Sequence, residues 1–494
     1  MFWKIPKEVI EIVEKLKTAG FEAFIVGGCV RDILMEKKPE DWDITTSAKP
    51  NEIRNLFPKS FYENRFFTVT VLTDNEDPTL KEIQITTFRK EAKYSDKRHP
   101  DYVEFGENLF EDLKRRDITI NAMAIEILDF SKEKFQVKII DLFEGQKDLK
   151  EKIIRAVGDP KERFSEDALR MMRAVRFAVS LGYEWKIEEK TKQAIKELSH
   201  LIEFISKERI RDELLKIINS ERAAEGIELM RELNLLKYII PELEEGVGVS
   251  QNKHHIYTCY EHCLKSLEYA AKKGFNTYVR LAALFHDIGK PRTKKGEGPN
   301  ATFYNHEIVG ARMTEKILRR LKFPSKDIEK IVKLVRYHLF YYNPGEVKES
   351  SVRRLLRSVG KENIEELLQV RMADRIGSGV KKAEPYKLRH LRYMIEKVSQ
   401  DPVSPKMLKI DGNEVMKILK INPGPKVGWI LKILLEKVIE NPKLNEKEIL
   451  IEEVKKLENL SDEKIKEMAN LAQKKLDEIE QKRDEMAKKK YWVV

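Results

Sequence analysis

At 494 residues, 41% hydrophobic and 36% charged, with 18 Pro and 22 Gly, the sequence describes a globular protein of several domains and excludes a fibrous or disordered chain. Its three cysteines, Cys29, Cys259 and Cys263, exclude a disulfide scaffold, and the last two lack a second pair to complete a zinc site. The longest apolar runs fall far short of the ~20 residues that cross a bilayer and Met1 begins no basic-then-apolar leader, so a cytoplasmic protein with no membrane role is expected; the formal charge of +11 favours a polyanionic partner.

Along the chain, residues 1–145 mix short β-like runs, at 21–26, 68–72, 82–88 and 137–141, with helical stretches, whereas a 3.6-residue period dominates after 150. An α/β head followed by a predominantly α-helical body is therefore expected. The first run ends in Gly27 and Gly28 and passes into a helix carrying Arg31. Paired glycines let backbone N–H groups approach a phosphate, a helix start adds positive potential, and a guanidinium can fork onto phosphate oxygens. Asp41 and Asp43 follow in Asp-Trp-Asp-Ile-Thr-Thr; on a strand both carboxylates face one way and Trp42 the other. Such a pair repels itself unless a divalent cation lies between the acids, and Mg2+ suits that place because it keeps positions for water and substrate phosphates. Two such ions could activate a 3′-hydroxyl and clamp a leaving pyrophosphate.

Residues 166–177 have helical spacing, which sets Asp167 and Arg170 on one face, with Arg173 and Arg176 continuing a basic stripe. Cytosine and adenine each place an exocyclic amine beside a ring acceptor, so a carboxylate and a guanidinium together can read either base. Uracil and guanine would set a carbonyl against the carboxylate. Six of nine histidines, His254, His255, His262, His286, His306 and His338, fall within 85 residues, and His286-Asp287 closes an apolar helix. Residues 287–301 and 399–405 read as loops, and 445–490 as very charged helices with solvated faces.

The string Val26-Gly-Gly-Cys-Val-Arg-Asp32 with Asp41-Trp-Asp-Ile-Thr-Thr-Ser47 resembles the first motif of class II tRNA nucleotidyltransferases, the CCA-adding enzymes and bacterial poly(A) polymerases. Asp112-Leu-Lys-Arg-Arg-Asp-Ile-Thr-Ile-Asn-Ala-Met-Ala124 resembles their ribose-binding motif, with Ile118 where Phe is usual; the resemblance implies that Arg116, Asp117 and Asn121 handle the nucleotide sugar and triphosphate. Glu166-Asp-Ala-Leu-Arg-Met-Met-Arg-Ala-Val-Arg-Phe177 is similar to the amino-acid template for CTP and ATP, which assigns nucleotide contacts to Asp167, Arg170, Arg173 and Arg176. Residues 207–216 resemble the last shared motif, read as core plus surface. Relatives often carry a third acid on a neighbouring strand, but Gln84 and Glu82 stand there, so no third metal ligand is assigned. The resemblance implies that residues 88–103, polar and without a clear period, hold at full length the family's loop needed for the final A. Residues 64–71, ending in Thr-Val-Thr-Val, and the segments at 408–415 and 423–428 favour the CCA side, the Pro-Gly-Pro turn opening a helix.

The histidines together with Asp374 resemble an HD phosphohydrolase domain, which implies that His262, His286, Asp287, His306, His338 and Asp374 bind a transition ion such as Ni, Mn, Co or Fe and hydrolyse phosphate ends or 2′,3′-cyclic phosphates. His254 fits packing or capping better. The resemblance implies a polymerase-β-type nucleotidyltransferase head (1–148), a base-reading neck (149–245), an HD module (246–385) and a tRNA-binding tail (386–494). The expected activity is addition of C, C and A to the tRNA 3′ end from CTP and ATP, with no DNA partner. Addition of A alone or poly(A), and an HD phosphohydrolase whose head only binds RNA, are the alternatives.

Overall fold

The computed structural model describes residues 5–63, 67–92, 102–130, 136–252, 256–399 and 405–493. Asn64, Arg65 and Phe66, most of the expected 88–103 loop, His254, His255 and most of the 399–405 connection lie outside the described residues.

The head is a seven-stranded mixed sheet built from β1 (Ala23–Val26), β2 (Asp43–Thr46), β3 (Ser60–Glu63), β4 (Thr68–Leu72), β5 (Glu82–Thr87), β8 (Met123–Asp129) and β9 (Gln136–Asp141), in the order β3-β4-β5-β2-β1-β8-β9. Two short strands, β6 (Arg89–Ala92) and β7 (Tyr102–Phe105), pair separately. The apolar run of β1 is buried throughout because antiparallel neighbours, β2 and β8, flank it. Helix Lys7–Thr18 packs Val9, Ile12, Val13 and Leu16 into a core shared with Ile25, Ile44, Ile85 and Ile125. The β2–β5 pair is parallel, and its register sets Asp43 opposite Gln84.

Beyond the head, helices Pro160–Glu166, Leu169–Ser180, Lys207–Ile218 and Ala223–Glu232 form the neck, and helices Cys259–Lys272, Thr277–Phe285, His306–Arg320, Ser325–Tyr337 and Ile364–Gly377 the module behind it. Terminal helix carbonyls lack intrahelical partners. Two buried arginines satisfy them here: Arg222 donates to the carbonyls of Ala178 and Gly182 at the end of Leu169–Ser180, and Arg280 to those of Ile218 (2.9 Å) and Ser220 (2.9 Å) at the end of Lys207–Ile218. Residues 287–301 are not a plain loop, since they hold helix Lys290–Thr293 and a 3-10 turn, Gly298–Asn300.

One compact unit comprises residues 1–339 and 365–383, and a second comprises 340–364 and 384–494. The second has its own core, with Val415, Ile430, Leu434, Leu450, Val454 and Ile465 at its centre. Helix Asp462–Lys490 buries Ile465, Ala469, Ala472 and Leu476, a stripe three or four residues apart, so one face of this charged segment is packed rather than solvated. Gly424, extended, precedes helix Pro425–Glu440, as the Pro-Gly-Pro turn suggests. Among the described residues no helix is long and apolar enough to cross a membrane.

Gly289 packs against helix His306–Arg320 so closely that a Cβ there would lie 2.3 Å from the His306 carbonyl oxygen and 2.6 Å from the Gly310 nitrogen. Gly289→Ala should therefore lower unfolding stability by roughly 1–3 kcal/mol in a urea titration, the cost of overpacking against backbone; an unchanged midpoint would contradict this packing.

Candidate active site and metal cluster

Gly27 links β1 to helix Gly28–Leu34 with φ 87, and a Cβ on it would meet Arg116 Nη1 at 3.0 Å and Asp43 Oδ2 at 3.2 Å. A Cβ on Gly28 would lie 3.6 Å from Arg31 Nη2 and 3.9 Å from Asp41 Oδ1. Two carboxylates and two guanidiniums thus converge on the glycine pair. The expected strand pleat is not what aligns the acids: β2 begins at Asp43, and Asp41 sits in the exposed bend before it. Trp42 does turn inward, its side chain buried and its carbonyl accepting from the Gln84 N–H at 3.1 Å. Burial and the neighbouring Asp41 push the Asp43 carboxyl up to about 6, against the pull of Arg116. Gln84 holds the register position beside Asp43, Glu82 is exposed, and among the described residues no third carboxylate or imidazole clusters with Asp41 and Asp43.

Arg31 donates to Asn121 Oδ1 at 2.9 Å and pairs with Asp32 at 2.8 Å. Arg116 reaches the Asn121 carbonyl and Asp112, each at 3.4 Å. Asp112 is fully buried, and although burial alone would raise its carboxyl, Arg115 at 2.7 Å and Arg116 hold it below the usual range. It orients the arginine expected to meet the nucleotide. Its spacing of three and four from these arginines on one helix end was the available signal. Asp117 is spoken for: Arg173 Nε donates to it at 2.6 Å and, outweighing burial, brings its carboxyl down to about 2.

The template segment is not one helix. Asp167 stands in extended conformation between Pro160–Glu166 and Leu169–Ser180, accepts from the Leu169 N–H at 3.1 Å, and pairs with Arg209 at 2.7 Å. Arg170 pairs instead with Glu166 at 2.6 Å and donates to the Arg115 carbonyl at 2.9 Å. Both nevertheless line one cleft of about 430 Å³ with Asp43, Gln84, Arg116, Asp117, Arg173 and Arg209. Arg176 is not on that wall; it pairs with Glu213 at 2.9 Å and lies 4.0 Å from the centre of the Phe177 ring. Arg31 and Arg173 also approach that ring, each at 5.5 Å, so one aromatic ring adjoins three arginines. Phe177 and Arg209 carry weight the sequence did not single out; Arg209 lies in the 207–216 segment read only as core and surface.

In the helical module the structure brings all six expected residues together. Ligand-capable atoms of His262, His286, Asp287 and Asp374 lie within 4.8 Å of one another, and so do those of Asp287, His306 and His338. Asp287 joins the two groups. The imidazoles of His286, His306 and His338 each face a backbone carbonyl through Nδ1, of Ala283 (2.8 Å), Phe303 (2.7 Å) and Val335 (2.7 Å). A carbonyl accepts only from an N–H, so Nδ1 carries the proton and Nε2 is left to a cation. Lys290, absent from the expected set, is 2.6 Å from Asp287 Oδ2 and donates to Gln251 at 2.7 Å. Against burial, Asp287 and Asp374 push the His286 imidazole up to about 10. The donor set of imidazoles and carboxylates suits a divalent transition ion. A cleft of about 800 Å³ opens over Asp287, His306, His338 and Asp374.

Residues 23–155 match the family model of the Poly A polymerase head domain, 185–246 that of the probable RNA and SrmB- binding site of polymerase A, and 259–378 that of the HD domain. Fold and site therefore define a nucleotidyltransferase with an HD module. A CCA-adding enzyme of Lactococcus lactis subsp. cremoris is 34% identical over 460 residues, 92% of this chain and 98% of the relative. One of Ligilactobacillus salivarius is 35% identical over 454 residues, 91% and 96% of the two chains. The crystal structure of the Bacillus stearothermophilus CCA-adding enzyme in complex with CTP is similar with a TM-score of 0.55 at 27% identity, covering 91% of this chain and 96% of that one. The chain belongs to the family of CCA-adding enzymes.

Elemental analysis of protein produced in medium supplemented with transition metals should find bound divalent ion in the parent chain and lose most of it in a His286→Ala/Asp287→Ala variant, because Asp287 serves both groups; equal metal content in the two would refute the cluster as a binding site.

Proposed function

We propose that this chain adds C, C and A in turn to the 3′ end of tRNA, using CTP and ATP, with Asp41 and Asp43 holding Mg2+ for the transfer. The observation that carries the reading is the convergence of Asp41, Asp43, Arg31 and Arg116 on Gly27 and Gly28, in a molecule whose cleft beside Asp43 also bears Asp167 and Arg170. The acids fit a divalent cation: a carboxyl raised by burial and by a like-charged neighbour is relieved when a cation binds. Magnesium, when bound, neutralises phosphate charge and assists departure of pyrophosphate.

The chain's own groups supply the rest. The glycines let phosphate approach the backbone, and Arg31 and Arg116 donate to phosphate and sugar oxygens. Asp167 accepts from the exocyclic amine of cytosine or adenine while Arg170 donates to the ring acceptor. Uracil or guanine would face Asp167 with a carbonyl, a mispairing worth about 1–3 kcal/mol. The names of the relatives, CCA-adding enzymes along nearly their full length, support this choice over addition of A alone or of poly(A).

A second activity is favoured by the six-residue cluster beneath its own cleft: hydrolysis of phosphate ends or 2′,3′-cyclic phosphates with a transition ion such as nickel, manganese, cobalt or iron. Turnover of a 2′,3′-cyclic nucleotide with nickel or manganese should be absent from His286→Ala/Asp287→Ala, and no turnover with any of these metals would sink this activity.

For the head, tRNA lacking CCA, CC-ended tRNA and oligo(A) should be offered each labelled nucleotide; ordered addition of C, C and A is expected, and long A tails would refute it. Asp41→Ala with Asp43→Ala should cut addition about a thousandfold or more, equivalent to ~4 kcal/mol of barrier; near-normal turnover would overturn the metal assignment. Because protonation below about 6 removes Asp43 as a ligand, the Mg2+ needed for half-maximal addition should rise roughly tenfold between pH 7 and pH 5. A flat requirement across that range would count against Asp43 as a ligand.

A further inference from the structure

We infer that Arg209 is a positioning residue for nucleotide choice, holding the Asp167 carboxylate as the acceptor that admits cytosine and adenine and turns away uracil and guanine. The inference rests on the reading of Asp167 as a base contact given above.

Asp167 occupies a turn between two helices, with φ −136 and ψ 104, so no helix face fixes its side chain. Two contacts do. Oδ1 accepts from the Leu169 N–H at 3.1 Å, and Arg209 forks onto the carboxylate, Nη2 to Oδ2 at 2.7 Å and Nη1 to Oδ1 at 3.4 Å. A carboxylate offers about four acceptor positions, so both oxygens can be restrained while lone pairs remain for a base amine. Three further arginines of the cleft pair with other acids: Arg170 with Glu166, Arg173 with Asp117 and Arg116 with Asp112.

Arg209 is well placed to transmit a fixed position. It sits in the first turn of helix Lys207–Ile218, which buries Ile210, Leu214 and Ile217, pairs Glu213 with Arg176, and has its last carbonyls capped by Arg280. Its own side chain is 34% exposed on the cleft wall. Ion pairs so exposed add little to folding stability, so the effect of removing this one should fall on the orientation of Asp167. A carboxylate free to rotate no longer meets a uracil or guanine carbonyl with a fixed acceptor, and the penalty that rejects those bases is lost.

The test uses full-length Arg209→Gln and Arg209→Lys, measuring kcat/KM for CTP and UTP on tRNA lacking CCA, and for ATP and GTP on CC-ended tRNA. The UTP:CTP ratio should rise about tenfold or more in Arg209→Gln, the discrimination one mispaired polar group provides, and less in Arg209→Lys, which keeps charge without the fork. The thermal midpoint should stay close to that of the parent. In an Asp167→Ala background, Arg209→Gln should leave the ratio where Asp167→Ala alone sets it. An equal slowing of all four nucleotides at the parent ratio, or a further change of ratio in the Asp167→Ala background, would overturn the inference. Should Arg209→Gln fail to fold, a parental ratio in Arg209→Lys overturns it and a raised one supports it. Failure of the parent chain to add C at all would instead strike the proposed function.

Discussion

At Gly27 the backbone turns through φ 87 with Arg116 and Asp43 closing on the place where a Cβ would be. L side chains rarely adopt that conformation, and here a side chain would also displace a guanidinium and a carboxylate. The end of β1, the start of the next helix, the acidic bend and the residues after helix Leu109–Lys114 can meet at this point only because it is bare. Arg31 comes from the helix after β1, Asp41 from the bend, Asp43 from the start of β2 and Arg116 from the residues after helix Leu109–Lys114, so the head's chemistry depends on an absence of atoms as much as on their presence.

Charge is matched pair by pair around that point. Asp112 sets Arg116, Asp117 sets Arg173, Glu213 sets Arg176 and Glu166 sets Arg170. Charges taken from water are costly unless partnered, and each of these four arginines arrives with an acid before any anion enters. Asp41 and Asp43 break the pattern. They face one another's negative charge with Arg116 as partial relief, which is why a divalent cation is the natural complement there. The histidine cluster follows the same logic in reverse, with backbone carbonyls engaging Nδ1 of His286, His306 and His338 so that their Nε2 atoms point inward.

Much of this was legible in the sequence. Gly27, Gly28, Asp41 and Asp43 announce themselves by spacing, and the clustering of histidines together with the resemblance to an HD domain picked out the six ligand-type residues, two of them aspartates. What spacing could not show is where a period stops. Glu-Asp-Ala-Leu-Arg reads as helix, yet Asp167 is extended, because a salt bridge to a residue 42 positions on and a cap on Leu169 outweigh local propensity. Likewise β8 starts in the last two residues of a motif recognised for its polar residues, and Met123, Ile125 and Ile127 alternate into the core. Arg209 was missed because an arginine in a charged amphipathic helix looks like any other until its long-range partner is known.

Arg280 has a consequence for the evolution of such multi-part chains. Its guanidinium belongs to the histidine-bearing module, yet the carbonyls it satisfies end the helix that carries Arg209. Excising the module would strip that helix end of its cap, leaving the Ile218 and Ser220 carbonyls without the guanidinium that satisfies them. A lineage could therefore lose the cluster's histidines and acids one at a time and keep the scaffold, whereas deleting the whole segment would require a replacement cap first. The module thus serves the neck as a structural partner, whatever chemistry its cluster performs.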